Sequence, residues 1–254
     1  MRRIGFITLL IYYSSILVII ALLVLMTAFM PVELGLYVDV LFLIPYLYII
    51  MRFRRSLNVG ALYILTISLI ILMSLASVFI IRPEAYLYGA LTIMRTNPLR
   101  GITYMVLYLL LSLLPDSAVD FVGTLPIFLL LTAIALLEVR LREYLLSSVV
   151  SGIVGVGLSA LILSLIYGEV VVTYGLSAPT MGLMGYLLIH SLRGIIRGGN
   201  RPIHFINFLI VLYTIYKSLL LLTPIPPVLV INGLAINTVG HFISFLMGFL
   251  MALR

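Results

Sequence analysis

Residues 175–192 read GLSAPTMGLMGYLLIHSL, a stretch of 18 residues without a single Asp, Glu, Lys or Arg. At about 1.5 Å per residue, such a run crosses most of a hydrocarbon layer roughly 30 Å thick. The rest of the chain repeats the pattern: comparable apolar runs lie near 5–29, 34–51, 59–81, 118–137, 144–166, 204–222 and 236–253. Of the 254 residues, 64% are hydrophobic and 9% charged, and the mean hydropathy is +1.31. A single water-soluble core of this length cannot hide so much apolar surface. Only helices and closed barrels satisfy their backbone groups in lipid, and runs of this length are helical. The expected fold class is therefore all-α: a polytopic transmembrane helical bundle, with residues 1–58 as an N-terminal pair of transmembrane helices and 59–254 as the main transmembrane domain.

The charges set an orientation. Arg2, Arg3, Arg52, Arg54, Arg55, Arg140, Arg142, Arg193, Arg197, Arg201 and Arg254 fall on one side of the eight runs, eleven of the fifteen basic residues. Glu33, Glu84, Asp116, Asp120 and Glu169 fall on the other. Positive charge marks cytoplasmic loops, so both termini are predicted cytoplasmic in a multi-pass cell-membrane protein. The net charge of +7 is scattered in these short clusters, which argues against nucleic acid as a partner. Arg82, Arg95 and Arg100 break the bias within the long segment 82–117, which is expected to be an outer loop carrying a partly embedded helix. The chain has no Cys, so disulfides and thiolate chemistry are absent.

Ser177 and His241 acquire a common depth from this topology. Each heads a run that enters from the outer face, and two such parallel helices can bring a hydroxyl and an imidazole together in the outer leaflet. Close approach needs small residues. Gly240, Ser244, Gly248 and Ala252 recur every four residues beside His241, and Ala178, Gly182 and Gly185 follow Ser177. Asn237 is placed to cap the last helix, or to shape the mouth of a cavity.

These stretches resemble the rhomboid family of intramembrane serine proteases. Gly175-Leu176-Ser177-Ala178, with Gly182 and Gly185 after it, is similar to the family's serine segment. Asn237-Thr238-Val239-Gly240-His241, with Ser244 and Gly248, is similar to its final helix. Glu138-Val139-Arg140-Leu141-Arg142, leading into Ser151, Gly152, Gly155 and Ser159, resembles its second cytoplasmic turn and third core helix. Leu99-Arg100-Gly101 resembles part of its first outer loop. The resemblance covers about residues 59–253 and implies a six-helix core preceded by two extra spans.

It further implies a Ser-His dyad that hydrolyses peptide bonds in or near the transmembrane segments of membrane proteins, at an active site toward the outer face. Ser177 would be the nucleophile and His241 the general base and acid. The partners implied are transmembrane substrates and the lipid bilayer, with no metal and no cofactor. The 82–117 loop and the 204–222 span are candidate gates.

The departures lie in the oxyanion site. The family's histidine and asparagine donors have no counterpart near Asp120 to Pro126, and Tyr108 stands where the loop histidine is expected. Gly175, Thr124 and Asn237 are the remaining oxyanion or cavity candidates, beside the Ser177 backbone N–H. Met181 occupies a position that is often aromatic. A catalytically impaired rhomboid-like pseudoprotease that binds membrane helices is the alternative, and a transporter component a more distant one. His190 and His204, flanking the basic loop, read as interfacial. Glu138 and Glu143 are expected to form a local charge network with Arg140 and Arg142.

Overall fold

The computed structural model describes residues 83–254 apart from 114–117, 174, 199–200 and 232–233. The pair of spans expected within 1–58, the span at 59–81 and Arg82 lie outside the described residues. The described part is mostly helical.

Two short helices open it, α1 (Pro83–Ile93) and α2 (Pro98–Leu111). Asn97 starts α2 by accepting the Arg100 N–H on its side-chain oxygen at 3.2 Å, and Pro98 follows where a missing N–H costs nothing. The two helices pack on each other through an edge-on contact of Tyr86 with Tyr104, ring centroids 6.1 Å apart. Two packed helices thus replace the single embedded helix expected within 82–117.

Helix α3 (Ala118–Glu138) is buried at every position from Leu125 to Leu136, and α4 is the continuous helical stretch Leu141–Tyr167. Within α4 one turn, Leu146–Val150, is wound as a π-helix. Its cause is local. The hydroxyls of Ser147 and Ser148 both donate to the Tyr144 carbonyl, at 3.1 and 2.7 Å, and that of Ser151 to the Ser147 carbonyl, so side chains compete with the backbone for its acceptors. Gly168, at φ +72°, ends the helix in a left-handed conformation.

Among the described residues, helix α5 (Ser177–Ile196) is the central element, in contact with α3, α4, α6 and α8. Every residue from Ala178 to Leu187 is buried. The span expected at 204–222 divides at Ser218 into α6 (Arg201–Lys217) and a single turn α7 (Leu219–Leu222). An antiparallel hairpin follows, β1 (Val228–Ile231) and β2 (Leu234–Asn237), in register Val228 with Asn237. It is the one departure from an all-helical chain among the described residues, and it delivers the chain into α8 (Thr238–Leu253). Arg193 of α5 reaches the far end of α8, donating to the Ala252 carbonyl and, at 2.6 Å, to the Leu253 carbonyl. A cation there satisfies carbonyls that have no partner within the helix.

Among the described residues one helix, Leu141–Tyr167, is long and apolar enough to cross a membrane, by length and composition. Only 33% of its apolar window is buried inside the protein. Leu158, Leu161, Leu165 and Ile166 of this helix are all exposed.

Candidate active site

Three elements converge on Ser177. The chain leaving α4 runs back along the bundle to Thr173, whose backbone is gripped by one side chain. The Tyr108 hydroxyl donates to the Thr173 carbonyl at 2.9 Å and accepts the Thr173 N–H at 3.1 Å. Tyr108 is 1% exposed, and burial pushes its phenol above the ordinary tyrosine range, so it stays protonated and able to donate. The Thr173 hydroxyl in turn donates to the Val156 carbonyl of α4 at 3.0 Å. Gly175 donates its N–H to the Ser112 carbonyl at the end of α2, at 2.8 Å. Its φ of +137° is one that a side chain would strain. Thr173 and Gly175, four and two residues before Ser177, are therefore held by α2 and α4 together, and Ser177 begins α5.

His241 lies on the first turn of α8. Asn237 caps that helix, its side-chain oxygen accepting the Gly240 N–H at 2.9 Å. Its amide nitrogen donates to the Ser159 hydroxyl of α4 at 2.7 Å. Of the two roles open to Asn237, the structure places it in the cap, bonded at both ends of its carboxamide.

The spacing of α5 and α8 depends on glycine. A Cβ added at Gly248 would run into the Gly182 carbonyl, and one at Gly185 into the Phe245 carbonyl, both backbone atoms. At Gly182 an added Cβ would also strike the Ser151 hydroxyl of α4. The stripe Gly240, Ser244, Gly248 does not all face α5. Gly240 lies against the Ser159 hydroxyl, 2.8 Å from where its Cβ would stand, and Ser244 fills the space left by Gly155. The upper half of the stripe thus seats α8 on α4 and the lower half seats it on α5.

The outcome is a direct contact. Ser177 Oγ and His241 Nε2 stand 2.7 Å apart, a hydrogen bond between residues 64 positions apart. His241 is 6% exposed, whereas Ser177 is half-buried, so the pair is approached from the serine side. With the hydroxyl donating, Nε2 is the acceptor and the imidazole proton resides on Nδ1. Nδ1 is buried and makes no well-formed hydrogen bond. No carboxylate is bonded to His241 among the described residues.

No family model, no curated protein and no solved structure matches this chain.

The oxyanion candidates fare unequally. Gly175 acts through its backbone conformation. Thr124 is half-buried on α3, just before that helix's buried run. Tyr108 is no oxyanion donor, because its single O–H is directed at Thr173. Met181 is buried in the main apolar core.

A second polar cluster lies at the other end of α5. Sequence reasoning expected Glu138 to join Arg140 and Arg142, yet no arginine–carboxylate ion pair forms among the described residues. Glu138 instead faces the two histidines read as interfacial, His204 at 3.2 Å and His190 at 3.7 Å, and accepts the Asn207 amide at 2.6 Å. The signal that finds this cluster is depth. All three residues sit at the predicted cytoplasmic ends of their runs.

Proposed function

We propose that the chain is an intramembrane serine protease of rhomboid type, with a six-helix transmembrane core at 59–254 and two further spans within 1–58. The single observation that carries this is the 2.7 Å contact of Ser177 Oγ with His241 Nε2. Its setting adds support, because a hydroxyl and an imidazole at the heads of two glycine-packed helices have little structural reason to meet. Membrane residence is supported by the mean hydropathy of +1.31 and by the mostly unburied apolar helix Leu141–Tyr167.

In the reaction His241 Nε2 takes the Ser177 proton as Oγ attacks the scissile carbonyl of a locally unwound substrate helix. The imidazolium then protonates the departing amine, and water admitted from the outer face hydrolyses the acyl-enzyme with His241 again as base. The developing oxyanion is placed at the N-terminus of α5, where helix N–H groups and the helix dipole favour negative charge. Absence of one side-chain donor lowers turnover by on the order of 100 to 1000-fold without removing the chemistry.

The test uses the full chain in detergent and in proteoliposomes. A fluorophosphonate is expected to label Ser177, and a transmembrane reporter to be cleaved. Both signals are lost in Ser177→Ala and His241→Ala. Folded protein that neither labels nor cleaves in several lipid compositions sinks the proposal. That outcome favours the second reading, a pseudoprotease that binds membrane helices, for which the commitment of the Tyr108 hydroxyl to Thr173 speaks.

A further inference from the structure

The chain has three histidines, and two of them meet a buried carboxylate away from the dyad. Glu138 ends α3, His190 lies in the last turns of α5 and His204 in the first turn of α6. His190 is 13 residues beyond Ser177 on α5, so the cluster lies roughly 20 Å from the nucleophile at about 1.5 Å per residue.

One potential ligand atom from each residue lies within 4.8 Å of the others. The Glu138 side chain is 5% exposed, and its Oε2 is buried with no hydrogen-bond partner. The His204 Nδ1 is also buried without one, although it stands 3.2 Å from Glu138 Oε1. Two buried polar atoms aimed into one space and left without well-formed bonds are costly, and the cost is removed by a group that both can bind.

The surroundings are shaped for that arrangement. Asn207, one turn after His204, donates to Glu138 Oε1 at 2.6 Å and fixes the carboxylate, as outer-shell partners of metal ligands do. The Tyr186 ring stacks on His190 with planes 16° apart. Gly194, one turn after His190, leaves the space that the His204 ring occupies, since a Cβ there would enter the imidazole. The histidines remain 28% and 19% exposed, which leaves an entry path and room for a water ligand.

We propose that Glu138, His190 and His204 form a binding site for one divalent transition-metal ion, zinc by the nature of the ligands. Two imidazoles and a carboxylate are poor ligands for magnesium or calcium, which take oxygen, and they match zinc with a fourth position open to water. Bonds of about 2.0–2.1 Å in a tetrahedral site bring ligand atoms to roughly 3.3 Å from one another, so the set closes by small side-chain rotations. The bound ion joins the ends of α3, α5 and α6. This site is independent of the Ser177–His241 dyad.

The test is made on the full chain purified in detergent, stripped with chelator and loaded with zinc alone. Metal analysis after desalting is expected to find one zinc per chain. X-ray absorption of the loaded wild type is expected to report imidazole scattering and first-shell bonds of about 2.0–2.1 Å. Stoichiometric retention is lost in His190→Gln and His204→Gln and kept in His241→Gln. Asn207→Ala weakens zinc binding by about 10–100-fold. No retained zinc, zinc without imidazole ligands, or retention unchanged in either cluster histidine variant overturns the proposal. The wild-type spectrum decides the matter should a variant fail to fold.

Discussion

Tyr108 shows how one side chain can place a nucleophile it never touches. Its hydroxyl closes both hydrogen bonds of the Thr173 backbone, four residues before Ser177. Tyr108→Phe leaves a buried N–H and a buried carbonyl unpaired, so stability is expected to fall by about 1–3 kcal/mol. The rate of fluorophosphonate labelling at Ser177 should fall with it, while Tyr104→Phe, whose ring is half-buried on α2, leaves both nearly unchanged. Equal effects of the two substitutions would refute a positioning role for Tyr108. At this scale the sequence allowed Ser177 and His241 to be paired, because each heads an apolar run bordered by small residues. The Tyr108 clamp was not legible. It depends on a side chain meeting a backbone 65 residues away, and backbone groups leave no trace in residue identity. Depth would have gathered Glu138, His190 and His204 as well, but their separations of 52 and 14 positions fit no ligand motif.

Among the helices, the decisive property is how closely α8 lies on α5. Gly248→Ala sets a methyl group against the Gly182 carbonyl, and overpacking of this kind costs about 1–3 kcal/mol. The two helices are expected to separate, with loss of Ser177 labelling beyond what the stability change explains. Gly157→Ala on α4 is the matched control. Its Cβ would meet only Leu109 Cδ2 at 3.5 Å, an ordinary contact, and removing a helical glycine contributes roughly 0.5–1 kcal/mol. Urea or thermal unfolding of both variants, followed by labelling, checks the pair. Helix positions were largely readable from apolar runs, since length and composition carry that information. The β1–β2 hairpin was not, because Val228–Ile231 is an apolar run of four that periodicity cannot assign. The break at Ser218 was also hidden. Residues 219–222 are four leucines of high helix propensity, and nothing in them announces a break just before.

For the molecule as a whole, the proposed topology puts Glu169 outside and Arg197 inside the cell, and the absence of cysteine makes this simple to test. Single cysteines at Glu169 and at Arg197, both exposed, are expected to differ in intact cells: a membrane-impermeant maleimide labels Glu169→Cys and leaves Arg197→Cys untouched until lysis. The reverse pattern would invert the topology, and labelling of both would remove it. Helix α8 carries a final consequence. Asn237 caps its first turn and Arg193 binds its last carbonyls, so the helix bearing His241 is tied at both ends. In the proposed protease, a substrate that drew the imidazole aside would have to break one of these contacts. Beside the break at Ser218, Leu219 and Leu220 are 53% and 68% exposed. If the chain is the protease proposed above, the gate expected in the 204–222 run would open at α6 and α7 while the two ends of α8 hold the imidazole still.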